Sequence, residues 1–180
     1  MPVHASRAAA LRPIALTLAI AFNPALPNAG ETSRAPSRAA VVVAETKHVA
    51  VRATLSASEP PAGAKISVTV DVTPKPKMHV YAPGGKYTPV TLRVEPQSFV
   101  KAGAVVYPQP RDYFFAPLKE HAQVYSDPFR LVLDVTIGDG KEAVPSPLTL
   151  KATLEYQACD DKLCYLPASI PLQWTVKVRR

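Results

Sequence analysis

The stretch A-K-I-S-V-T-V-D-V-T, residues 64–73, decides the fold. Every second residue is apolar (Ile66, Val68, Val70 and Val72), and small polar residues stand between them. Successive side chains of a β-strand point to opposite faces, so this alternation predicts a strand with one buried face and one solvated face.

The same alternation recurs along the chain, which predicts further strands of the same kind. The apolar positions are Val49, Val51, Ala53, Leu55; Val90, Leu92, Val94; Phe129, Leu131, Leu133, Val135, Ile137; Leu148, Leu150, Ala152, Leu154, Tyr156; and Ile170, Leu172, Trp174, Val176, Val178. The chain also holds 20 prolines, many of them between these runs, and they leave no convincing long helix. The pattern therefore predicts an all-β, immunoglobulin-like antiparallel β-sandwich.

The N-terminus has the features of a secretory signal. Arg7 and Arg12 precede the apolar run P-I-A-L-T-L-A-I-A-F at 13–22, and small residues lead to a predicted cleavage after Ala29. The alternative is an uncleaved anchor, but the run is about half as long as the ~20 residues that a membrane-spanning helix needs. We therefore predict export to the periplasm.

These features divide the chain into three parts: a signal peptide at 1–29, a flexible leader at 30–44 and one β-sandwich domain at 45–180. The formal charge of the whole chain is +7, and it falls to +5 when the two arginines of the signal peptide are removed. The remaining basic residues are scattered, which does not favour nucleic acid as a partner.

The only two cysteines, Cys159 and Cys164, are five residues apart in E-Y-Q-A-C-D-D-K-L-C-Y-L-P, 155–167. In a helix this spacing would place them about 8 Å apart on different faces, which is too far for a disulfide. In a hairpin with D-D-K-L as its loop, the two residues face each other at a distance that a disulfide allows. An oxidising compartment would preserve such a bond.

Three interpretations of the pair remain open. A structural disulfide that closes so short a loop contributes about 2 kcal/mol in the chain-entropy model. A metal site has less support: four residues between the cysteines is the edge of the usual zinc spacing, a second ligand pair should follow, and His48, His79 and His121 are scattered singly. We expect no metal and no cofactor.

Thiol–disulfide exchange is the third interpretation, since a disulfide on a hairpin at the edge of a domain is open to a partner's thiolate. Asp160 and Asp161 should raise the pKa of the neighbouring thiols, with Lys162 partly offsetting them. The rings of Tyr156 and Tyr165 could shield the sulfurs.

Residues 108–128 form the longest segment without clean alternation, and they predict a functional loop. The segment carries three consecutive aromatic residues, Tyr113, Phe114 and Phe115. The alternative is that these rings plug the open end of the sandwich.

The sequence around the cysteines resembles a known family. The stretch L-E-Y-Q-A-C-D-D-K-L-C-Y-L-P at 154–167, followed by I-P-L-Q-W-T-V at 170–176, is similar to the end of the N-terminal periplasmic domain of the thiol:disulfide interchange protein DsbD. The similarity is looser over 45–153, where M-H-V-Y-A-P, P-V-T-L-R-V-E-P and Q-V-Y-S-D-P-F-R-L occupy the expected order.

The resemblance implies an immunoglobulin-like domain in which Cys159 and Cys164 form the redox pair. Such a domain takes electrons from a membrane-embedded donor and passes them to periplasmic thioredoxin-fold proteins, including those that serve cytochrome c biogenesis. The full reductase continues into further domains whereas this chain ends at Arg180, so we expect the donor to act in trans. If active, the chain would be a component of a protein-disulfide reductase.

The resemblance also implies a mobile cap with an aromatic side chain over the redox pair. The cap falls within Asp112 to His121, so Phe114, Phe115 and Leu118 are its candidates, and Tyr81 is a candidate second shield. The rival function is a periplasmic binding or chaperone-like β-sandwich in which the disulfide is only structural.

Overall fold

The computed structural model describes residues 40–139, 141 and 143–179. The predicted signal peptide at 1–29 and the first part of the predicted leader lie outside these residues. Within the described part of the chain, no helix is long and apolar enough to cross a membrane.

Twelve β-strands make up the described residues, and their bounds follow in chain order. They are β1 (Val41–Glu45), β2 (Val49–Leu55), β3 (Ala64–Pro74), β4 (His79–Tyr81), β5 (Thr91–Val94), β6 (Val100–Val106), β7 (Arg111–Phe115), β8 (Glu120–Tyr125), β9 (Phe129–Ile137), β10 (Leu148–Tyr156), β11 (Ala158–Cys159) and β12 (Ala168–Val176).

Two antiparallel sheets form the sandwich. One has the strand order β1-β2-β3-β9-β6 and the other β12-β10-β5. The alternating apolar residues lie on the inner faces, where Val68 of β3 pairs with Leu133 of β9 and Leu154 of β10 pairs with Ile170 of β12. Burial of these side chains removes a large apolar area from water. The structure confirms the predicted all-β, immunoglobulin-like sandwich.

The first sheet begins earlier than the sequence suggested. Residues 41–44 of the predicted leader belong to β1, and β1 pairs with β2 from Val41↔Thr54 to Glu45↔Ala50. The short apolar run Val41 to Ala44 supplies side chains for an edge strand, although Val41 and Val43 are exposed.

A third sheet, with the order β11-β4-β8-β7, carries the cysteine hairpin. The segment 108–128, which we expected to be a loop, forms the hairpin β7–β8 with Tyr113 opposite Ala122. Its alternation was hidden because aromatic residues occupy both faces of β7: Tyr113 and Phe115 lie on one face and Phe114 on the other.

Candidate functional site

The cysteines face each other across a short hairpin, as the spacing predicted. Cys159 and Cys164 form a disulfide with their Cα atoms 4.1 Å apart, and their backbones make an antiparallel bridge. The loop between them contains no glycine. Instead, the Asp160 Oδ1 accepts hydrogen bonds from the backbone N–H groups of Lys162 and Leu163, at 2.8 and 2.9 Å. This side-chain-to-backbone turn holds the loop closed.

The register of β11 and β4 decides which side chains surround the disulfide. Cys159 pairs with His79, and Ala158 pairs with Val80. Ala158 and Val80 face the main core, so Cys159 and His79 point to the opposite face of the sheet, together with Tyr81 two residues further on. We call this surface the cysteine face.

The two sulfur-bearing residues differ in exposure. Cys159 is fully buried at 0% exposure, whereas Cys164 is half-buried. The exposed apolar side chains of Leu163 and Leu166 lie on either side of Cys164 in the chain, and Leu166 is 86% exposed. Cys164 is therefore the more accessible of the two cysteines.

A buried tyrosine hydroxyl contacts both sulfurs. The Tyr81 Oη lies 3.1 Å from the Cys159 Sγ and 3.2 Å from the Cys164 Sγ. Disulfide sulfurs carry no hydrogen, so the hydroxyl is the donor. Burial, followed by the neighbouring Tyr87, raises the pKa of Tyr81 to about 12, which keeps the hydroxyl protonated at neutral pH.

Tyr81 is held in place by its neighbours. The Tyr87 ring stacks on the Tyr81 ring with centroids 4.2 Å apart. The Tyr87 hydroxyl in turn donates a hydrogen bond of 2.8 Å to the Glu120 Oε2. This hydrogen bond joins the loop after β4 to the start of β8. It holds Tyr87 in place, and the stacked Tyr87 ring holds the Tyr81 ring against the sulfurs.

A tyrosine on the opposite edge strand of the same sheet reaches the cysteine loop. The Tyr113 hydroxyl on β7 donates a hydrogen bond of 2.9 Å to the Asp161 Oδ1 in the cysteine loop. β7 and β11 are the two outermost strands of this sheet, so the hydrogen bond links its two edges through a side chain and a loop. The half-buried Tyr113 packs with the buried cluster that contains Tyr81 and Cys159. We call the Tyr113–Asp161 hydrogen bond the latch.

His79 lies between Tyr81 and Tyr113 on the cysteine face and is 2% exposed. Its ring centroid is 4.3 Å from that of Tyr113 and 5.9 Å from that of Tyr81. Its Nε2 is buried without a hydrogen-bond partner. Burial lowers the pKa of His79. The negative charges of Asp161 and then Asp160 act in the opposite direction but are the smaller effects.

The predicted cap residues lie on the β7–β8 hairpin but differ in orientation. Phe115 is buried at 6% exposure, on the same strand face as Tyr113. Phe114 is 51% exposed and packs against the His121 ring on the other face, and Leu118 in the hairpin turn is also exposed.

The other predicted residues divide between the site and the core. Tyr156 is buried in the main core, where its hydroxyl lies 2.9 Å from the Thr46 Oγ1. The Tyr165 hydroxyl donates to the Asp160 Oδ2 at 2.9 Å. The backbone hydrogen bonds from Leu163 and Lys162, followed by that of Tyr165, lower the pKa of Asp160. Lys162 is exposed.

Sequence reasoning did not assign Tyr113, His79 or Tyr87 to the site. Two of them left a signal, because strand alternation places His79 on the same face as Tyr81, and Tyr113 on the face opposite to Phe114. Tyr87 lies in a loop, where no periodicity predicts its direction.

The arrangement suits chemistry at sulfur. Within the described residues, no group of three or more His, Cys, Asp or Glu side chains is placed to hold a metal ion. A half-buried cysteine bonded to a fully buried one, with a hydroxyl donor close to both sulfurs, allows attack on the first cysteine and departure of electrons to the second.

Comparison with known proteins agrees with this geometry. The family described as thiol:disulfide interchange protein DsbD, N-terminal, matches residues 45–171. No curated protein matches the chain.

Two solved structures are similar. One is the N-terminal periplasmic domain of ScsB from Proteus mirabilis, with a TM-score of 0.51 and 14% identity, covering 74% of this chain and 49% of that one. The chain thus spans about half the length of the ScsB structure. The other is the DsbD N-terminal domain of Neisseria meningitidis in the reduced form, with a TM-score of 0.45 and 16% identity, covering 64% of this chain and 82% of that one.

Proposed function

This chain belongs to the family of N-terminal domains of the thiol:disulfide interchange protein DsbD, and from that premise we propose that it exchanges disulfides with partner proteins through Cys159 and Cys164. It carries two electrons as a dithiol and needs no cofactor. In the direction implied by the family, it receives electrons from a membrane-embedded donor and gives them to thioredoxin-fold proteins.

The single observation that carries the proposal is the unequal burial of the two cysteines. Cys159 is fully buried and Cys164 is half-buried, beside the exposed side chains of Leu163 and Leu166. Exchange needs access to one sulfur in line with the S–S bond, and a partner's apolar surface can pack on these leucines. A purely structural disulfide needs neither feature.

A partner dithiol reduces the disulfide in two steps. A partner thiolate attacks the Cys164 Sγ, the bond between Cys159 and Cys164 breaks, and its electron pair goes to the Cys159 Sγ. A second partner thiolate then attacks the partner sulfur of the mixed disulfide and releases Cys164. The partner leaves as a disulfide, and two protons from water or the partner complete the two thiols.

The residues around the sulfurs adjust this chemistry. The Tyr81 hydroxyl, close to both sulfurs, stabilises the thiolate that forms at either one, because hydrogen bonds to charged groups are the stronger kind. The carboxylates of Asp160 and Asp161 raise the thiol pKa values, and Lys162 partly offsets them. The resting dithiol is therefore a slow nucleophile that reacts when a partner is docked.

The β7–β8 hairpin acts as the cap. The latch between Tyr113 and Asp161 ties the hairpin to the cysteine loop, so the partner must displace it to approach the S–S bond. The candidates Phe114, Phe115 and Leu118 lie on the same hairpin and would move with it. The cap protects the dithiol from small oxidants between encounters.

The periplasm is the compartment in which this exchange takes place, with residues 1–29 directing export. The partners are periplasmic thioredoxin-fold proteins, among them proteins of cytochrome c biogenesis, and a membrane-embedded electron donor. The chain would then be the periplasmic component of a protein-disulfide reductase.

Two single-cysteine variants test the proposal as a matched pair. Cys159→Ser leaves the accessible thiol and Cys164→Ser leaves the buried one. Each is mixed with a thioredoxin that keeps only its attacking cysteine, activated by a chromogenic thiol. We expect Cys159→Ser to form the covalent complex at least tenfold faster. Equal rates for the two variants, or no complex with Cys159→Ser, would favour the binding sandwich with a structural disulfide.

A further inference from the structure

We infer that His79 is the proton acceptor for Cys159: in the reduced protein its Nε2 accepts a hydrogen bond from the Cys159 thiol, and it takes the thiol proton when Cys159 becomes the attacking thiolate. This inference rests on the proposed function, because it concerns the reduced state of the same cysteine pair. It assigns a role in the exchange to a residue outside the pair itself.

The position of His79 supports the role. His79 is the residue directly opposite Cys159 in the pairing of β4 with β11. Directly opposed residues on an antiparallel pair have Cβ atoms about 4.5–5.5 Å apart and share a face of the sheet. His79 is 2% exposed and Cys159 is fully buried, so water does not compete for the imidazole.

In the oxidised state one nitrogen of the His79 imidazole has no hydrogen-bond partner. The Nε2 of His79 is buried and has no hydrogen-bond partner, an arrangement that is costly in a folded protein. The disulfide offers no hydrogen, and the Tyr81 hydroxyl lies at hydrogen-bonding distance from both sulfurs. Reduction places an S–H group on Cys159, and this group can donate to Nε2 in the tautomer of His79 that carries its hydrogen on Nδ1.

The groups that face His79 allow it to hold a proton briefly. Tyr81 of its own strand and Tyr113 of β7 contribute neutral rings. The carboxylates of Asp161 and Asp160, from the loop after β11, favour an imidazolium, whereas burial opposes it. His79 is therefore neutral at rest and becomes charged only when it removes a neighbouring proton.

The step that uses this acceptor is the release of a partner that the chain has reduced. After Cys164 has formed a mixed disulfide with a partner that began as a disulfide, the Cys159 thiol passes its proton to the His79 Nε2. The Cys159 thiolate attacks the Cys164 Sγ, the bond from Cys164 to the partner breaks, and the electron pair leaves on the partner's sulfur. The imidazolium proton then passes to that thiolate or to water, so the chain is oxidised and the partner is reduced.

Equilibrium with defined thiol buffers tests the inference in the whole mature protein. His79→Phe keeps a ring beside Tyr113 but removes both nitrogens, and His79→Gln keeps a hydrogen-bond acceptor. His48→Phe is the matched control, because the His48 ring packs on Tyr165, at a centroid distance of 4.4 Å. We expect the equilibrium constant for reduction to fall roughly tenfold in His79→Phe, equivalent to about 30 mV for a two-electron couple.

We expect the equilibrium constant for reduction of His79→Gln to stay within about threefold of the wild-type value, because an unpaired acceptor costs about as much free energy in glutamine as in histidine. The constant of His48→Phe should match that of the wild type. An unchanged constant in His79→Phe, or an equal shift in His48→Phe, would overturn the inference. The proposed function depends on the potential of the wild type itself, so the two can fail separately.

A measurement without substitution covers the case in which His79→Phe does not fold. Nitrogen NMR of the wild type, labelled at histidine, compares the two redox states. We expect the Nε2 resonance of His79 to move from that of a free acceptor to that of a hydrogen-bonded one on reduction, while His48 does not change. An Nε2 resonance that is the same in both states would overturn the inference.

Discussion

Removal of one hydroxyl group, in the variant Tyr113→Phe, should open the cap without disturbing the fold. The Tyr113 hydroxyl donates to the Asp161 Oδ1 at 2.9 Å. Phenylalanine keeps the ring, which packs against His79 with centroids 4.3 Å apart. The substitution therefore removes the latch and retains the apolar contact beneath it.

The magnitude follows from the exposure of the latch. Asp161 is exposed and Tyr113 is half-buried, so water competes for the hydrogen bond. A hydrogen bond in this setting contributes about 0.5–1.5 kcal/mol. Loss of that free energy increases the open population roughly 2- to 12-fold, since 1.36 kcal/mol corresponds to a factor of ten.

The assay is reduction of the disulfide by a small dithiol in excess. Dithiothreitol needs the open state to attack the Cys164 Sγ, so its second-order rate constant reports the open population. Samples are quenched with acid at intervals, and the free thiols are labelled with a maleimide that shifts the protein on a gel. Asp161→Asn, which keeps an acceptor oxygen, should accelerate reduction less than Tyr113→Phe does.

Phe114→Ala is the comparison, because it alters the same hairpin on its other face. Phe114 is 51% exposed and packs on His121. If the latch controls access, Phe114→Ala should change the rate of reduction by dithiothreitol little. If Phe114 is instead the residue that covers the disulfide, as the family resemblance implies, Phe114→Ala should be reduced faster. An unchanged rate in Tyr113→Phe, together with a faster rate in Phe114→Ala, would refute the latch.

Three further predictions concern the groups around the sulfurs. Tyr81→Phe removes the donor near Cys159 and Cys164, so the apparent thiol pKa in the reduced protein should rise by roughly one unit or more, measured by thiolate absorbance; no rise would contradict this role. His79 has a pKa lowered from 6.5, so the unfolded chain binds a proton that the folded one does not. Its free energy of unfolding should fall below pH 6.5 by at most about 1.4 kcal/mol per pH unit and level off below the folded pKa, and His79→Phe should lose this dependence in urea titrations. Asp160→Ala removes the acceptor of two loop N–H groups and should favour the dithiol in thiol buffers, whereas Asp160→Asn, which keeps the acceptor, should not; equal shifts would contradict the turn's role.

The strands and the cysteine hairpin were predictable because both follow from local pattern. Alternation such as that of Ile66 to Val72 identifies a half-buried strand without knowledge of its partner. The spacing of Cys159 and Cys164 admits a hairpin and excludes a helix. These features depend on residues that are close in sequence.

The latch and the surroundings of His79 were not predictable, because they depend on the pairing of distant strands. Tyr113 meets Asp161 only after β7 pairs with β8, β8 with β4, and β4 with β11. The sequence contains the alternation that separates Tyr113 from Phe114, but it does not show which face of β7 turns toward the sulfurs.

The central claim is that the disulfide between Cys159 and Cys164 is exchanged in function, and its reduction potential tests this most directly. The mature protein is equilibrated with defined thiol buffers, and the fraction reduced is measured by thiol labelling. We predict a potential above roughly −270 mV, in the range of proteins that exchange disulfides. A value below about −300 mV, typical of structural disulfides, would contradict the account.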